Sequence, residues 1–521
     1  MSREKRLDWK FLFIGVILIV VLIVSAIINS MKTNESATKL AGSIDIDNGD
    51  SKINWERYET VNIDLKETVN ISKSGNYHLT GTLEDGLIYI DVGVGEVRLI
   101  LDNVSIKNSS GPAILCQEAE DLVIELIGEN TLEDSAEYLS DYDEDVTGLI
   151  YSKADLSFGG TGILNLKANH EDAIVGKDDM KFNNGSYNIE AVDDGIRGKD
   201  SVYVVGGEFN IEATADAIKS TNETDLRKGF VLIENGTFNL NTLAKAIKSI
   251  NTILIYNGNF IINSYDDAIH SNNYVGIING QFNISSGDDG IHADSELIID
   301  GGNIEITKAY EGLEAKAVTI NGGKLSLVTL DDGINSGGGA DSSAMNRPGA
   351  GAFDVDEDCV LSINGGELYV NASGDGVDSN GYLYFNGGKV TIDGPTSNGN
   401  GALDSTAGII MNGGEVIAVG SSGMANNLGK DSSVFSLSVF FSSVYPAGTK
   451  IEIKNSKDEI IVEHVSAKSF NHVAFGSSHL LPGETYTIFV DNNEYEIFTI
   501  SEVVTVIGNN NSNQNISPKR R

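Results

Sequence analysis

Acidic residues recur along the chain at a nearly constant spacing. We call this set the acidic ladder; its members are Asp172, Asp194, Asp216, Asp267, Asp289, Glu311, Asp332 and Asp375. Between positions 172 and 216, and again between 267 and 311, neighbouring members are 22 residues apart. A second acid directly precedes several of them, namely Asp193, Asp266, Asp288 and Asp331. Clustered carboxylates bind hard cations, and pairs of carboxylates also serve as acid and base in glycoside hydrolysis.

The 22-residue period predicts a solenoid. Near-repeats such as "VDDGIRGKDSVYVVGGEFNIEA" and "GDDGIHADSELIIDGGNIEITK" alternate apolar and polar residues, as strands do, with Gly-Gly turns between the strands. A unit of this length holds about three short strands, and successive units stack about 4.8 Å apart in parallel register. The sequence therefore predicts an all-β fold, a parallel β-helix, which handedness rules make right-handed.

An apolar residue lies two positions after each acid of the ladder, and also two positions after Lys245. These residues are Ile174, Ile196, Ile218, Ile247, Ile269, Ile291, Leu313, Ile334 and Val377. Each of them comes after an Ala or a Gly, which suits a tight corner. We expect the apolar residues to fill the interior of the solenoid and the acids to lie together along one corner.

Stacked carboxylates need compensation for their mutual repulsion. Unit charges about 4.8 Å apart repel by roughly 1 kcal/mol in water and by about 3–4 kcal/mol at an effective dielectric of 20. Amides of the turn can supply it through hydrogen bonds, and so can Ca²⁺, which takes six to eight oxygen ligands. At one rung Lys245 stands in place of the acid. The candidate calcium ligands are Asp193, Asp194, Asp216, Asp266, Asp267, Asp288, Asp289, Asp331, Asp332, Asp375 and Asp378.

The residue after the core position is polar on several rungs. His270, His292 and Glu314 occupy it on three successive rungs. Imidazole and carboxylate together suit a transition metal. We expect an exposed polar ladder here, with a transition-metal site as the alternative.

Composition and the N-terminal sequence bear on partners and location. The net charge is −39, from 75 acidic and 36 basic residues, which argues against nucleic acid as a partner. Residues 11–28 are uncharged and mostly apolar, so they predict a transmembrane helix that leaves the β-helix outside the cell; cleavage after Ser25-Ala26 and secretion is the alternative. The predicted segments are 1–10 cytoplasmic, 11–28 anchor, 29–55 linker, 56–428 β-helix, 429–505 small antiparallel β domain and 506–521 disordered tail.

Several motifs carry a family resemblance that runs from about residue 56 to 505. They include "GNYHLTGTLEDG", "LIYSKADLSFGGTG", "DDGIRGKDSVYVVGG", "YEGLEAKAVTINGG" and "DDGINSGGG". With them the chain resembles the calcium-containing, pectate-lyase-like β-helix family of clostridial carbohydrate-binding proteins, which are recognised on polygalacturonate. The resemblance implies bound Ca²⁺ and an acidic plant or cell-wall polysaccharide as partner. By the match of "YEGLE", it adds Glu311 and Glu314 to the candidate calcium ligands, whereas the Lys245 rung departs from the acidic pattern.

Parallel β-helices host both enzymes and binding proteins. A pectate lyase needs a basic residue for proton removal, and Arg197 is the one arginine on the acidic side of a rung; we expect it to form a salt bridge instead. The sequence therefore predicts calcium-dependent, non-catalytic binding of acidic polysaccharide. Tyr265, Tyr274 and Tyr310 are candidate sugar contacts, and ordinary packing within the rungs is the alternative for them. The alternatives are a pectate lyase or polygalacturonase, and a surface spacer or adhesin stiffened by calcium.

Overall fold

The structure is a computed structural model that describes residues 36–46, 52–139, 142–337 and 355–508. The predicted cytoplasmic segment 1–10 and anchor 11–28 lie outside these residues. Within the described ranges, no helix is both long enough and apolar enough to cross a membrane. Two 3-10 helices, Ala37–Ser43 and Trp55–Arg57, precede an otherwise all-β chain.

The predicted parallel β-helix is confirmed. The chain winds into a right-handed β-solenoid of about 15 turns, with about 22 residues in each turn. A typical turn adds one strand to each of three parallel sheets, which we name A, B and C in the order the chain meets them after the acidic ladder. Strand pairs join residues one turn apart, as Ile196 of sheet A pairs with Ile174 before it and Ile218 after it.

The strands divide among the three sheets as follows. Sheet A contains Val69–Ile71, Ile88–Asp91, Ile114–Glu118, Gly148–Ser152, Asp172–Gly176, Ile196–Gly198, Ile218–Ser220, Ile247–Ser249, Ile269–Ser271, Ile334–Ser336 and Val377–Ser379. Sheet B contains Asp121–Ile127, Asp155–Gly160, Asp179–Phe182, Ser201–Val204, Phe230–Ile233, Thr252–Ile255, Tyr274–Ile277, Val360–Ile363, Tyr382–Phe385 and Gly408–Met411. Sheet C contains Glu129–Glu133, Ile163–Ala168, Ser186–Ala191, Glu208–Ala213, Thr237–Thr242, Asn259–Ser264, Gln281–Ser285, Asn303–Ala309, Lys324–Thr329, Glu367–Ala372, Lys389–Asp393 and Glu415–Gly420.

A few strands continue around a corner and serve two sheets. Ile291–Ile299 and Leu313–Ile320 run from sheet A into sheet B, and Glu96–Lys107 runs from sheet B into sheet C. At the N-terminal end, Thr60–Leu65 pairs with Gly75–Leu83, which in turn pairs with Glu96–Lys107.

The interior is built from same-phase ladders of side chains. Every member of the predicted apolar ladder has no exposed surface. Beside it, Phe209, Phe238, Phe260 and Phe282 of sheet C stack with ring centroids 5.0, 4.7 and 4.6 Å apart. The alternation of sheet C strands thus points one set of side chains inward and leaves the other set outside.

The Phe238→Ala variant tests the contribution of this stack. Phe238 is fully buried between Phe209 and Phe260, so the truncation leaves a cavity that neighbouring rungs cannot close. We expect a loss of about 3–5 kcal/mol in the free energy of unfolding, measured by chemical denaturation. A loss below about 1 kcal/mol would show that the rungs collapse around the missing ring.

The C-terminal part combines antiparallel and parallel strands. Ser436–Tyr445 and Phe470–Ser477 pair antiparallel, and Phe470–Ser477 also pairs with Glu415–Gly420 at the end of sheet C. Val504–Ile507 pairs parallel with Ser436–Tyr445. A separate antiparallel sheet contains Lys450–Asn455, Ile460–Val465, Thr485–Val490 and Asn493–Thr499. The part predicted as a separate small domain therefore continues the hydrogen bonding of the last turn.

Part of the predicted linker packs against the solenoid. Leu40 of the 3-10 helix Ala37–Ser43 lies on an apolar patch of sheet B formed by Phe230, Leu232, Leu254 and Ile298. Polar contacts accompany this packing, including an ion pair of 2.9 Å between Lys39 Nζ and Glu296 Oε2. This segment therefore covers the outward side of sheet B.

Candidate functional site

The acidic ladder lies at the corner between sheets C and A, where one oxygen of each acid contacts the next rung. The amide of Asp194 donates to Oδ1 of Asp172 at 3.1 Å, and the amide of Asp289 donates to Oδ1 of Asp267 at 2.9 Å. The amide of Asp375 donates to Oδ1 of Asp332 at 2.6 Å. Turn amides therefore satisfy one oxygen of most ladder acids, as one of the two expected mechanisms requires. The other oxygen needs a second partner.

On the first rungs that partner is a basic side chain from the following turn. The guanidinium of Arg197 forms an ion pair with Asp172, and its Nε lies 3.9 Å from Oδ2 of Asp194. Lys219 forms ion pairs with Asp194 and, at 3.5 Å, with Asp216. Burial raises the pKa of Asp194 to about 6 although Lys219 lowers it, so this carboxylate is ionised at neutral pH. Arg197 is a salt-bridge partner, as expected.

Lys245 compensates two acids of the next rung. Its Nζ lies 3.0 Å from Oδ1 of Asp266 and 2.5 Å from Oδ2 of Asp267. The aliphatic stem and the ammonium are both almost fully buried. Burial opposes ionisation of Asp267, but hydrogen bonds from His270 and Lys245 hold its pKa far below the usual value. The lysine ammonium thus supplies the positive charge that compensates these two carboxylates.

The prediction of an exposed polar ladder after the core position was wrong. His270 and His292 are only 3% and 0% exposed, and their rings stack 4.7 Å apart. Both rings lie on the outward side of sheet A, but each is covered by polar side chains before and after it in the sequence. His270 lies 2.8 Å from Asp267 on one side and 3.1 Å from Asn272 on the other.

His292 supplies positive charge to the following rung. Its Nδ1 lies 3.0 Å from Asp289 Oδ2 and 2.9 Å from Glu314 Oε2, and its Nε2 lies 3.1 Å from Asp294 Oδ1. Burial lowers the pKa of His292, but hydrogen bonds with these three carboxylates raise it to about 12 overall. As an imidazolium the ring compensates Asp289 and Glu314. The same ligand atoms are close enough together to hold a metal ion in place of the proton.

We call the basic side chains that pair with the ladder acids, Arg197, Lys219, Lys245 and His292, the built-in cations. None of them lies beyond His292 in the described part of the chain. We call the next four ladder-side acids, Glu311, Asp332, Asp375 and Asp378, the acidic column. Among the described residues, no lysine, arginine or histidine forms an ion pair with any of them, in contrast to the preceding rungs. Oε2 of Glu311 is buried and has no hydrogen-bond partner within the described ranges. An uncompensated buried oxygen of this kind is expected where a cation binds.

Electrostatics in the acidic column favour protons or a cation. Burial, together with Glu314, Asp289 and Asp332, raises the pKa of Glu311 to about 10. Burial and neighbouring aspartates raise the pKa of Asp332 to about 8. The pKa values of Asp375 and Asp378 rise to about 7, again through burial first and nearby carboxylates second. Asp332, Asp375 and Asp378 are only half-buried, so an ion can reach them from solvent.

The structure separates the predicted calcium ligands into three groups and adds a new candidate. The first group is the acidic column. The second lies on rungs with built-in cations and contains Asp193, Asp194, Asp216, Asp266, Asp267, Asp289 and Glu314. The third contains the half-buried Asp288 and Asp331. Asp404 was missed. It follows Leu403, which bridges to Val377, so it stacks on Asp378 and contributes to its raised pKa. The similarity of "ALDS" at residues 402–405 to "GVDS" at residues 376–379 could have identified Asp404 from the sequence.

The three candidate tyrosines lie in different surroundings. Tyr265 is 77% exposed and lines a groove of about 710 Å³ beside the acidic ladder, together with Leu243, Asp288 and Lys308. Tyr310 is half-buried, and its hydroxyl interacts with Asp331. Tyr274 packs in the apolar patch of sheet B that Leu40 covers, so the structure does not bring it to the groove.

The pH dependence of stability follows from the acidic column. Carboxyl groups with raised pKa values hold protons in the folded state that the unfolded chain releases near pH 4, so protonation stabilises the fold. Without calcium, the free energy of unfolding should therefore fall as pH rises from about 4 to about 8, the interval between the pKa values of the unfolded and folded states. Denaturation at pH 5.5 and 8.5 in chelator measures this fall, and saturating Ca²⁺ should abolish it. A pH-independent stability in chelator would contradict burial of uncompensated acids.

Comparisons with known proteins find one similar relative and one similar solved structure. A protein described as a carbohydrate-binding domain-containing protein from Acetivibrio thermocellus is 32% identical over 145 residues, which are 27% of this chain and 50% of that protein. This chain thus spans about half the length of that relative. A solved structure, described as the polysaccharide lyase-like protein from C. thermocellum in a gadolinium derivative, is 30% identical, covers 46% of this chain and 96% of that chain, and has a TM-score of 0.39.

A family model described as carbohydrate-binding domain-containing protein matches residues 66–333. The matched range covers the first part of the solenoid and extends to the start of the acidic column. It includes the Tyr265 groove and all the rungs with built-in cations described above. The chain belongs to the family of carbohydrate-binding domain-containing proteins.

Proposed function

We propose that this protein binds Ca²⁺ at the acidic column and uses it to hold an acidic polysaccharide without cleaving the chain. The observation that carries the proposal is the end of the built-in cations after His292. Arg197, Lys219, Lys245 and His292 compensate the acids before this point, whereas Glu311, Asp332, Asp375 and Asp378 have no such partner among the described residues.

The donor set of the acidic column suits calcium. Its side chains offer only oxygen atoms, arranged on rungs about 4.8 Å apart, and Ca²⁺ accepts carboxylates and water in flexible geometry. Asp404 adds one more carboxylate next to Asp378. The half-buried members leave coordination positions open to water or to an incoming ligand.

Calcium would also explain how a strongly acidic protein binds an acidic glycan. A net charge of −39 repels a polyanion, and the repulsion grows as the glycan approaches the acidic ladder. A Ca²⁺ ion shared between a protein carboxylate and a sugar carboxylate converts this repulsion into attraction. The same requirement makes binding depend on calcium and on the uronic acid groups of the glycan.

The Tyr265 groove is the nearest surface for the sugar rings. Asp288, one rung before Glu311, lines this groove, and Lys308 in the same lining offers a positive charge to a sugar carboxylate. The exposed ring of Tyr265 presents an apolar face beside these polar groups, an arrangement common in ligand sites. The groove and the acidic column together provide contacts for several adjacent sugars.

Binding without cleavage is supported by two observations. The guanidinium of Arg197 hydrogen-bonds to Asp172 and Thr147, so it is engaged in the structure and not positioned as a base. The family description names carbohydrate binding. We further propose that residues 11–28 anchor the chain in the cell membrane with the solenoid outside. The competing spacer function predicts calcium binding without glycan binding.

The Tyr265→Ala variant tests the sugar contact. Removal of the exposed ring should weaken retention on polygalacturonate by about 10-fold in Ca²⁺, because an aromatic contact is worth roughly 1.5 kcal/mol. Calcium affinity, measured by calorimetry, should not change, since the phenol group lies outside the acidic column. Tyr274→Ala at the Leu40-covered patch is the matched control and should retain full binding. Equal retention by wild type and Tyr265→Ala would remove this groove from the site.

A further inference from the structure

We infer that the outward side of sheet C between Thr131 and Asn241 binds uncharged sugar units of a polysaccharide without a metal ion. A shallow groove of about 320 Å³ runs there, along the axis of the solenoid. It lies several rungs before the acidic column and is lined by none of the acids of that column. The inference therefore stands on different residues and a different chemistry from the calcium proposal.

A row of polar side chains, one threonine followed by four asparagines, lines this groove. Thr131, Asn165, Asn188, Asn210 and Asn239 occupy the same register position on five successive strands, so the row is about 19 Å long. Nδ2 of Asn188 donates to Oδ1 of Asn165 at 2.8 Å, and Nδ2 of Asn210 donates to Oδ1 of Asn188 at 3.0 Å. The amides are thus held in one orientation before any ligand arrives.

Each ordered amide can still bond outward. A primary amide has two N–H donors and two acceptor lone pairs, and the ladder uses one of each. The remaining donor and acceptor match a sugar hydroxyl, which both donates and accepts. Because the pattern repeats on every rung, the groove fits an extended chain of sugars better than a single small molecule.

Charge in the groove selects against acidic sugars. Lys167 is already paired with Glu133 at 3.2 Å, whereas Glu190 and Glu212 add negative charge on the neighbouring register row. A uronic acid would be repelled here, and neutral sugars would not. At Asn241 and Leu243 the surface continues into the Tyr265 groove, so one polysaccharide with neutral and acidic segments can contact both.

The experiment is affinity electrophoresis in chelator, which removes any calcium-dependent binding. The probes are three neutral polysaccharides, a galactan, an arabinan and a galactomannan. The wild type should be retarded by at least one of them. Asn188→Ala/Asn210→Ala should weaken that interaction at least about 10-fold, because each lost hydrogen bond weakens binding several-fold. Asn210 is exposed, so the variant Asn210→Arg should block the groove while leaving the fold intact.

A second amide ladder supplies the matched control. Asn321, Asn364 and Asn386 hydrogen-bond in the same way, at 2.8 Å per step, but they lie at the corner between sheets B and C, outside the groove. Asn364→Ala/Asn386→Ala should therefore bind the neutral probe like the wild type. Retardation by none of the probes, or equal losses from the two ladders, would overturn the inference. Loss of polygalacturonate binding in Ca²⁺ would bear on the calcium proposal alone.

Discussion

The double variant Asp332→Asn/Asp375→Asn should lose calcium-dependent retention on polygalacturonate. Both side chains keep their shape, but the acidic column loses two of its four carboxyl groups. Calcium affinity depends strongly on the number of charged ligands, so we expect it to fall at least about 100-fold. Calorimetry measures the calcium affinity, and a polygalacturonate column measures the retention.

The same variant should be at least as stable as the wild type in chelator. Burial and mutual repulsion raise the pKa values of Asp332 and Asp375 to about 8 and 7, so neutral amides relieve a cost at and above neutral pH. This second readout distinguishes a lost ion site from a damaged fold. Asp193→Asn, on a rung with built-in cations, is the control and should retain calcium affinity. Unchanged calcium affinity in the double variant would place the ion elsewhere.

Replacement of the buried lysine should strongly destabilise the fold. Lys245→Met keeps the apolar stem but leaves Asp266 and Asp267 without their ammonium. Removing one partner of a buried ion pair typically costs 3–5 kcal/mol, and we expect a loss of about that size in chelator. Addition of Ca²⁺ should recover part of the loss, because the vacated position then resembles the acidic column. Chemical denaturation in chelator and in Ca²⁺ measures both effects.

Lys248→Met is the matched control for that experiment. Lys248 lies three residues later on the same rung and is half-buried, with no ion pair among those found in the described part of the chain. Its loss should change stability by less than about 1 kcal/mol. If Lys245→Met were as stable as this control, the lysine would not be the counter-charge that the geometry indicates.

The fold was predictable because one pattern repeats many times. The spacing of the acids, the alternation of segments such as "NIEIT" and the paired glycines all indicate the same unit, and each rung confirms the register of the next. The C-terminal part was less predictable. Its strands lack the period, and Phe470–Ser477 pairs with the last strand of sheet C, a long-range contact that local alternation does not encode.

The division of the acidic ladder could not be predicted from spacing alone. Arg197 stands beside Asp194 in sequence, yet its strongest ion pair is with Asp172 on the preceding rung, because side chains reach along the solenoid axis. Lys219 likewise forms an ion pair with Asp194 on the preceding rung. The burial of His292 likewise depends on Asp294 and Glu314 approaching from two sides, which alternation within one strand does not reveal.

Calcium-dependent retention on polygalacturonate, with ultraviolet absorbance of the supernatant recorded at the same time, tests the central claim most directly. The proposal predicts retention of the protein in Ca²⁺, release in chelator and flat absorbance throughout. Rising absorbance in Ca²⁺ would reveal unsaturated sugar products and make the protein a lyase. An intact fold with no retention in Ca²⁺ would contradict the account and favour a calcium-stiffened spacer.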